Sequence, residues 1–158
     1  MLSNNYFLNE AAADNDRRGK WYDGNNLLKF PEDVRIRIPL IHLTALKLIR
    51  AESIAETGGD LQTAIADLSE IRLRAGLPVV PVVSDAAEVR RIARIERRHE
   101  LVGEGNRLHE LKRQAVLDDE GLLIRNAPWN CPGMVCQIPD NELAGNINYP
   151  PNEEGGCE

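Results

Sequence analysis

Apolar residues recur every three or four positions through the middle of the chain, which is the spacing of an amphipathic α-helix. In residues 40–56 the apolar positions on or near one face are Ile41, Leu48, Ile49 and Ala55. In residues 61–75 the corresponding positions are Leu61, Ile65, Leu68 and Ile71. Two consecutive helices are therefore predicted.

Turn-forming residues separate these two helices and end the second. Thr57-Gly58-Gly59 ends the first helix, and Asp60 is a favourable N-cap for the second. Gly76 and Pro78 then stop the second helix. The pattern predicts an antiparallel helical hairpin.

A third helix is expected after a proline-rich linker, residues 77–85, which should be extended. Asp85 and Glu88 form an acidic capping pair at its start. Its apolar positions are Val89, Ile92, Ile95, Leu101 and Val102. This stripe has the period of a helix.

Gly103 and Gly105 permit the third helix to stop and the chain to turn, and Leu108 with Leu111 restarts the apolar spacing in a fourth helix. The prediction is an all-α fold of tetratricopeptide-like helical hairpins, about four helices in all, with long irregular loops. It comprises an irregular N-terminal segment, a helical core and a loop-rich tail of the same domain, at residues 1–37, 38–116 and 117–158.

One hairpin of the tetratricopeptide type is visible, with the small residues Ala55, Gly58 and Ala64 where two helices pack closely. Repeats of this kind bury their faces on neighbours and usually need about three units for stability. A lone unit should expose apolar surface or borrow a partner. One functional hypothesis is therefore a freestanding module that binds another protein through that surface.

The composition is that of a small acidic domain. The 158 residues suffice for one core, and the net charge of -6 gives no reason to expect nucleic acid or anionic lipid as a partner. No stretch approaches the roughly 20 apolar residues that span a bilayer. Met1 is followed by Leu-Ser-Asn-Asn rather than by a basic and then apolar leader.

The histidines of the third and fourth helices do not predict a metal site or another cofactor. His99-Glu100 and His109-Glu110 begin like the zinc-protease motif H-E-x-x-H, but the second histidine is missing. Glu96 and His99 have the spacing of a di-iron bundle, but a second such pair is absent. A solvated helix face is expected instead.

A cluster of arginines on the third helix permits two interpretations, contact with phosphate or ion pairing with glutamates. The arginines are Arg90, Arg91, Arg94, Arg97 and Arg98. The interleaved glutamates are Glu88, Glu96, Glu100 and Glu104. Because the spacing suits ion pairs, a salt-bridged helix surface with pairing between helices is predicted.

Cys131 and Cys136 flank a Pro-Gly turn that can bring their Cα atoms to bridging distance. A local disulfide fits an exported protein, with Cys157 then unpaired or disordered. Free thiols in a cytosolic chain, or a metal site that also uses Cys157, are the alternatives.

Two aromatic clusters have the chemistry that sugar binding needs, an aromatic face for a pyranose and polar groups for its hydroxyls. One cluster comprises Trp21, Tyr22, Asp23 and Asn25. The other comprises Asn126, Trp129 and Asn130. Either tryptophan can instead be a core residue that anchors a loop.

Three blocks of sequence, read in order, carry a family resemblance. Residues 38–78 contain L-I-R-A-E, a Gly-Gly-Asp turn and an I-R-x-R-A-G ending. Residues 95–114 contain E-R-R-x-E-L, G-E-G-x-R and x-E-L-K-R. Residues 136–149 place Ile-Pro before an acidic helix start and an Asn-rich tail. Together the blocks resemble about the C-terminal third of SusD/RagB-type proteins, the nutrient-binding lipoproteins of the outer membrane.

The resemblance implies a non-catalytic role at the cell surface, in which an oligosaccharide or similar nutrient is bound and delivered to a TonB-dependent, SusC-like transporter. It does not single out binding residues, because those of the family lie in variable loops. Since family members begin with a lipoprotein signal, it also suggests that this chain is a fragment that lacks the lipid anchor and further helices. An enzyme is the least expected alternative.

Overall fold

The computed structural model describes residues 16–23, 26–30, 40–118, 121–136, 138–146, 148 and 150. In these residues α-helices dominate and the strands are short, so the predicted all-α fold of helical hairpins with loops is confirmed. None of the helices in these ranges is long and apolar enough to cross a membrane. The chain divides into two units, Met1–Gly105 and Asn106–Glu158.

The described part of the first unit contains short elements followed by three α-helices of 15 residues each. The short elements are a 3-10 turn (Arg17–Trp21) and the antiparallel strands β1 (Tyr22–Asp23) and β2 (Asn26–Leu27). The helices are α1 (Leu43–Thr57), α2 (Leu61–Ala75) and α3 (Ala86–Glu100).

The predicted turn and capping residues end α1, and they begin and end α2. Gly58 and Gly76 follow the two helices with φ of +72° and +87°, a left-handed conformation that glycine adopts without steric cost. The carboxylate of Asp60 accepts hydrogen bonds from the N–H groups of Gln62 and Thr63, at 3.1 and 3.2 Å. The two helices therefore form the expected hairpin, and α2 has the predicted bounds.

The core of the first unit lies where α1 packs against α2 and α3. Its most buried side chains are Leu48, Ala51, Ala64, Leu68, Val89 and Ala93. The alanines permit close approach of the helices. The expectation that Ile41 and Ile49 share the buried face is wrong, because these side chains are 74% and 46% exposed. Ile41 precedes α1, and Ile49 is rotated by about 100° from the buried Leu48.

The buried face of α3 differs from the predicted stripe. Val89 is fully buried, but Ile95 is 36% exposed, and Glu96 occupies the core-facing position at 1% exposure. His99 is also buried. The prediction that Glu96 and His99 lie on a solvated face is therefore wrong.

The second unit contains one longer helix, a strand pair and two short helical elements. These are α4 (Arg107–Leu117), β3 (Leu123–Ile124), β4 (Ala127–Pro128), a 3-10 turn (Pro132–Met134) and α5 (Asp140–Gly145). The ammonium of Lys112 on α4 donates a hydrogen bond to the carbonyl of Met134 at 2.9 Å, which joins α4 to the 3-10 turn.

Candidate functional site

A cleft of about 130 Å³ opens in the first unit beside the 3-10 turn. Its walls are the turn and the C-terminal ends of α2 and α3, which contribute Arg17, Arg18, Trp21, Arg74, Ala75 and Glu100. Ligand pockets commonly measure at least about 300 Å³. The cleft is therefore large enough to hold only a part of a sugar-sized ligand.

Local hydrogen bonds fix the turn that carries Trp21. The carboxylate of Asp16 caps the turn by accepting a hydrogen bond from the N–H of Arg18 at 2.9 Å. The N–H of Tyr22 donates to the carbonyl of Gly19. The N–H of Leu28 donates to the carbonyl of Trp21 at 2.6 Å. The backbone of Trp21 is thus held on both sides.

Lys29 covers one face of the Trp21 ring, with its ammonium nitrogen 4.8 Å from the ring centroid. The same ammonium donates to the carbonyl of Glu100, the last residue of α3, and to the carboxylate of Glu104 in the turn that follows. A cation is favourable there because the C-terminal end of a helix carries partial negative charge. Only the other ring face and the ring edge are left for a ligand.

Gly103 allows β2 to pack closely against the turn that follows α3. It has a φ of +77°, and a Cβ added to it would lie 2.3 Å from Cδ2 of Leu27. Any other residue would both strain the backbone and displace Leu27. The sequence identified Gly103 as a helix stop, and the structure adds this close contact.

Arg18 is a buried cation that reaches from the turn into the end of α3. Its guanidinium pairs with Asp16 at 2.6 Å, with Glu96 at 2.8 Å and with Glu100 at 3.2 Å. Burial opposes its charge, but the hydrogen bonds and charges of Asp16 and Glu96 outweigh that and raise the pKa of Arg18. Burial likewise opposes ionisation of Asp16, yet the hydrogen bonds and charge of Arg18 hold the pKa of Asp16 below its ordinary value.

Two further arginines at the end of α2 complete the network. Arg72 pairs with Glu96 at 2.7 Å, and Arg74 pairs with Glu100. Each of the two glutamates therefore bridges an arginine of α2 and Arg18. Since a buried carboxylate is costly unless it is paired, these contacts explain why α3 can bury Glu96.

The predicted pairing between helices is confirmed on the other side of α3. Arg94 pairs with Glu52 of α1 at 2.7 Å, and Arg90 pairs with Glu56 at 2.8 Å. Within α3, Arg91 pairs with Glu88 at 2.7 Å. The arginine cluster thus contributes to the packing of α3 against α1.

Of the first predicted cluster, the cleft includes Trp21, which is half-buried. Tyr22 is half-buried and Asp23 exposed in β1, and neither is among the described residues that line the cleft. Burial raises the pKa of Tyr22, against the opposing charge of Arg98. Asn25 lies outside the described residues.

The sequence predictions did not include the arginines of the cleft. Arg17 and Arg18 are close to Trp21 in the sequence, and this proximity is a local signal for a site that combines guanidinium groups with an aromatic ring. Arg74 belongs to a different helix and gives no such signal. Only the packing of α2 against the turn brings it to the cleft.

The second predicted cluster lies at and after the β3–β4 turn. Arg125 and Asn126 have φ of +54° and +68°, which is the geometry of a two-residue hairpin turn and suits asparagine. Trp129 is half-buried and its N–H donates to the carbonyl of Leu122 at 3.2 Å, while Asn130 is exposed. Asn126 therefore has a structural role, and sugar binding by this cluster stays a prediction.

The predicted bond between Cys131 and Cys136 is wrong. Cys131 is buried and disulfide-bonded, whereas Cys136 is exposed and retains its thiol. The 3-10 turn ends at Met134, and the extended backbone of Val135 then leads to the exposed Cys136. Cys157 lies outside the described residues.

Comparison with known proteins gives one match. The model of the SusD family matches residues 12–153 of the 158. No curated protein and no solved structure matches the chain significantly. The matched segment contains α1 to α5, the three blocks and the two aromatic clusters found in the sequence. The chain therefore belongs to the SusD family, which consists of generally non-catalytic, nutrient-binding proteins of the outer membrane.

Proposed function

We propose that this chain helps to bind an oligosaccharide or similar nutrient at the cell surface and to deliver it to a TonB-dependent, SusC-like transporter. Membership of the SusD family supports the general role. The observation that carries the proposal for this chain is the cleft beside Trp21, because it joins an aromatic ring to guanidinium groups. These are the groups that bind the apolar face and the hydroxyls of a sugar.

The geometry of the cleft suggests how a sugar is held. One ring face of Trp21 is covered by Lys29, so a sugar would contact the other face or the edge. The side chain of Arg74 is 59% exposed and can donate hydrogen bonds to hydroxyls while it pairs with Glu100. Because the cleft is small, the remainder of a longer oligosaccharide would lie on the surface.

The ion pairs of the carboxylates near the cleft support a role in binding rather than in hydrolysis. Glycosidases commonly use two carboxyl groups, one of which must give a proton to the leaving group. In Glu100, one oxygen pairs with Arg18 and the other with Arg74. Glu96 is buried and likewise pairs through both oxygens. Each carboxylate is therefore engaged by two arginines, which supports a structural role for both.

The test is calorimetric titration of the chain and its Trp21→Ala variant with a panel of neutral and charged oligosaccharides. We expect the wild-type chain to bind at least one of them, and the variant to lose about tenfold in affinity because it lacks the stacking surface. Trp21→Phe should restore part of the loss. Loss of binding in Trp129→Ala instead of Trp21→Ala would move the site to the second cluster.

Delivery to a transporter is tested separately, by co-expression of the chain with a TonB-dependent, SusC-like transporter. Co-purification of the two in detergent is the expected result. A chain that binds no oligosaccharide and does not co-purify would contradict the proposal, and hydrolysis of a bound glycan would contradict its non-catalytic part.

The second candidate function is a protein-interaction module. It is favoured by the exposed leucines at the start of α1, Leu43 at 68% and Leu46 at 50%. Such a face is typical of a helical hairpin that packs against another element. A module of this kind would show no affinity for glycans, so the titration above distinguishes the two functions.

A further inference from the structure

In the described part of the chain, the charged side chains around the cleft form a network of three cations and three anions. The cations are Arg18, Arg72 and Arg74, and the anions are Asp16, Glu96 and Glu100. Their formal charges cancel. By itself this network gives the cleft no net charge with which to attract a ligand.

Arg17 lies beside the network and forms no ion pair with its members. It lines the cleft next to Trp21 and is exposed. Within the described parts of the chain, its guanidinium makes no ion pair and no hydrogen bond. Its side chain lies against Gly76, where an added Cβ would be 3.2 Å from both Cγ and Nε of Arg17. The glycine therefore lets the guanidinium group rest at the mouth of the cleft.

The local charge at the cleft is opposite in sign to that of the whole chain. Among the described residues that line the cleft, and the residues that pair with them, Arg17 is a cation without an anionic partner. The whole chain has a net charge of -6. A cation beside an aromatic ring on an acidic protein is a local feature that suits a ligand with an anionic group.

We infer that the cleft selects a saccharide that carries an oxyanion, either a carboxylate or a sulfate group. The oxyanion would pair with Arg17, and the sugar ring would pack against Trp21. The inference rests on the proposed nutrient-binding function and adds the class of ligand to it. A guanidinium binds an oxyanion through two parallel N–H···O hydrogen bonds, which a neutral hydroxyl cannot accept in the same way.

The size of the cleft agrees with such a ligand. With about 130 Å³ it can hold one charged substituent and part of the ring that bears it. Because charge-assisted hydrogen bonds are stronger than neutral ones, an oxyanion should improve affinity by about tenfold over the neutral sugar. The improvement should decline as salt concentration rises, since Arg17 is exposed to solvent.

The test uses three probes that differ at one position, methyl glucoside, methyl glucuronide and methyl glucoside 6-sulfate. The chain contains two tryptophans, so its indole N–H groups give two resonances in a nitrogen-15 correlation spectrum. The Trp21→Phe variant assigns the Trp21 resonance. Titration of each probe against that resonance then measures affinity in the millimolar range and locates binding at the cleft.

The decisive variant is Arg17→Gln, with Arg125→Gln as the matched control, because the latter removes an equal charge from the β3–β4 turn of the other unit. We expect the wild-type chain and the control to prefer a charged probe about tenfold. We expect Arg17→Gln to bind all three probes with the affinity of the neutral one. A preference for the glucuronide identifies the oxyanion as carboxylate, and a preference for the sulfate ester identifies it as sulfate.

Two outcomes overturn the inference. If the three probes bind equally well, or if Arg17→Gln keeps the preference, the oxyanion is not recognised by Arg17, while the proposed binding of sugars stands. If no probe shifts the Trp21 resonance, both the inference and the assignment of sugar binding to this cleft fail.

Discussion

At the scale of single residues, the least expected feature is the burial of charge in a small helical core. Arg18 and Glu96 are 2% and 1% exposed, and both are held in ion pairs. A buried pair of this kind adds little to stability when it replaces well-packed apolar residues, but the loss of one partner is costly. The network therefore acts mainly as a constraint, because the turn that carries Trp21 can dock only where Arg18 meets its carboxylates.

The first prediction concerns the pH dependence of stability through Asp16. Arg18 holds the pKa of Asp16 below its ordinary value of 3.8, so the folded state favours the carboxylate more than the unfolded state does. The stabilising contribution of Asp16 is fully present above that value and is lost as the pH falls through the lowered pKa. Asp16→Asn should accordingly lower the free energy of unfolding at pH 7, and the difference from wild type should shrink below pH 3.8.

Urea unfolding of both proteins between pH 7 and pH 3 measures this difference. The comparison with Asp16→Asn isolates one carboxylate, which matters because Asp60 and Glu88 also have lowered pKa values and contribute to acid sensitivity in both proteins. A difference that stays constant over the pH range would show that Asp16 acts through its shape and hydrogen bonds rather than its charge.

At the scale of elements, α3 supplies Glu96 and Glu100 to the site, so the residue that begins α3 also matters for the cleft. Asp85 accepts a hydrogen bond from the N–H of Ala87 at 3.0 Å. The predicted cap is confirmed, but Glu88 pairs with Arg91. The acidic pair predicted from the sequence is therefore half right, since a glutamate on a helix can satisfy an arginine three residues later.

The second prediction follows from this cap. Asp85→Ala should lower the free energy of unfolding by about 1 kcal/mol, because it leaves the N–H of Ala87 at the start of α3 without its acceptor. Asp85→Asn is the matched control and should cost much less, since asparagine is an equally good N-cap. Thermal unfolding followed by circular dichroism measures both. Equal losses in the two variants would mean that the negative charge, and not the hydrogen bond, is what stabilises α3.

The elements were predictable because their signals are local. The second helix was placed correctly from Asp60 to Gly76, since N-caps, left-handed glycines and apolar spacing all lie within the helix or beside it. The buried face of α3 was not predictable in the same way. Glu96 can be a core residue because Arg72 and Arg18 pair with it, and Arg18 is 78 positions away in the sequence.

The candidate site was predictable only in part for the same reason. Trp21 was identified because an aromatic residue near polar ones is a local pattern. The cleft also needs Arg74 from the end of α2 and Glu100 from the end of α3, which tertiary packing alone brings together. Cys131 was likewise assigned to the wrong bond, because a suitable spacing in the sequence does not show which way a thiol points.

At the scale of the whole molecule, the chain exposes apolar side chains where a helical hairpin normally meets a neighbour. The exposed fractions fall from 96% at Leu40 to 68% at Leu43 and 50% at Leu46. Together these positions form a patch at the start of α1. Since each repeat of a tetratricopeptide-like array buries its faces on the next, the patch is the natural contact surface for another element or another protein.

The last prediction tests whether this patch is open in solution. Leu46→Lys should change the free energy of unfolding by less than about 0.5 kcal/mol, because a half-exposed side chain on an open face contributes little to the fold. It should also reduce the fluorescence of a dye that binds apolar surface, because a charge would interrupt the patch. Leu123→Lys is the matched control, since Leu123 is 58% exposed in the other unit and lies in β3. If Leu46→Lys instead costs several kcal/mol and leaves dye binding unchanged, Leu46 is covered in solution, and the patch cannot serve as the contact surface that the protein-interaction function requires.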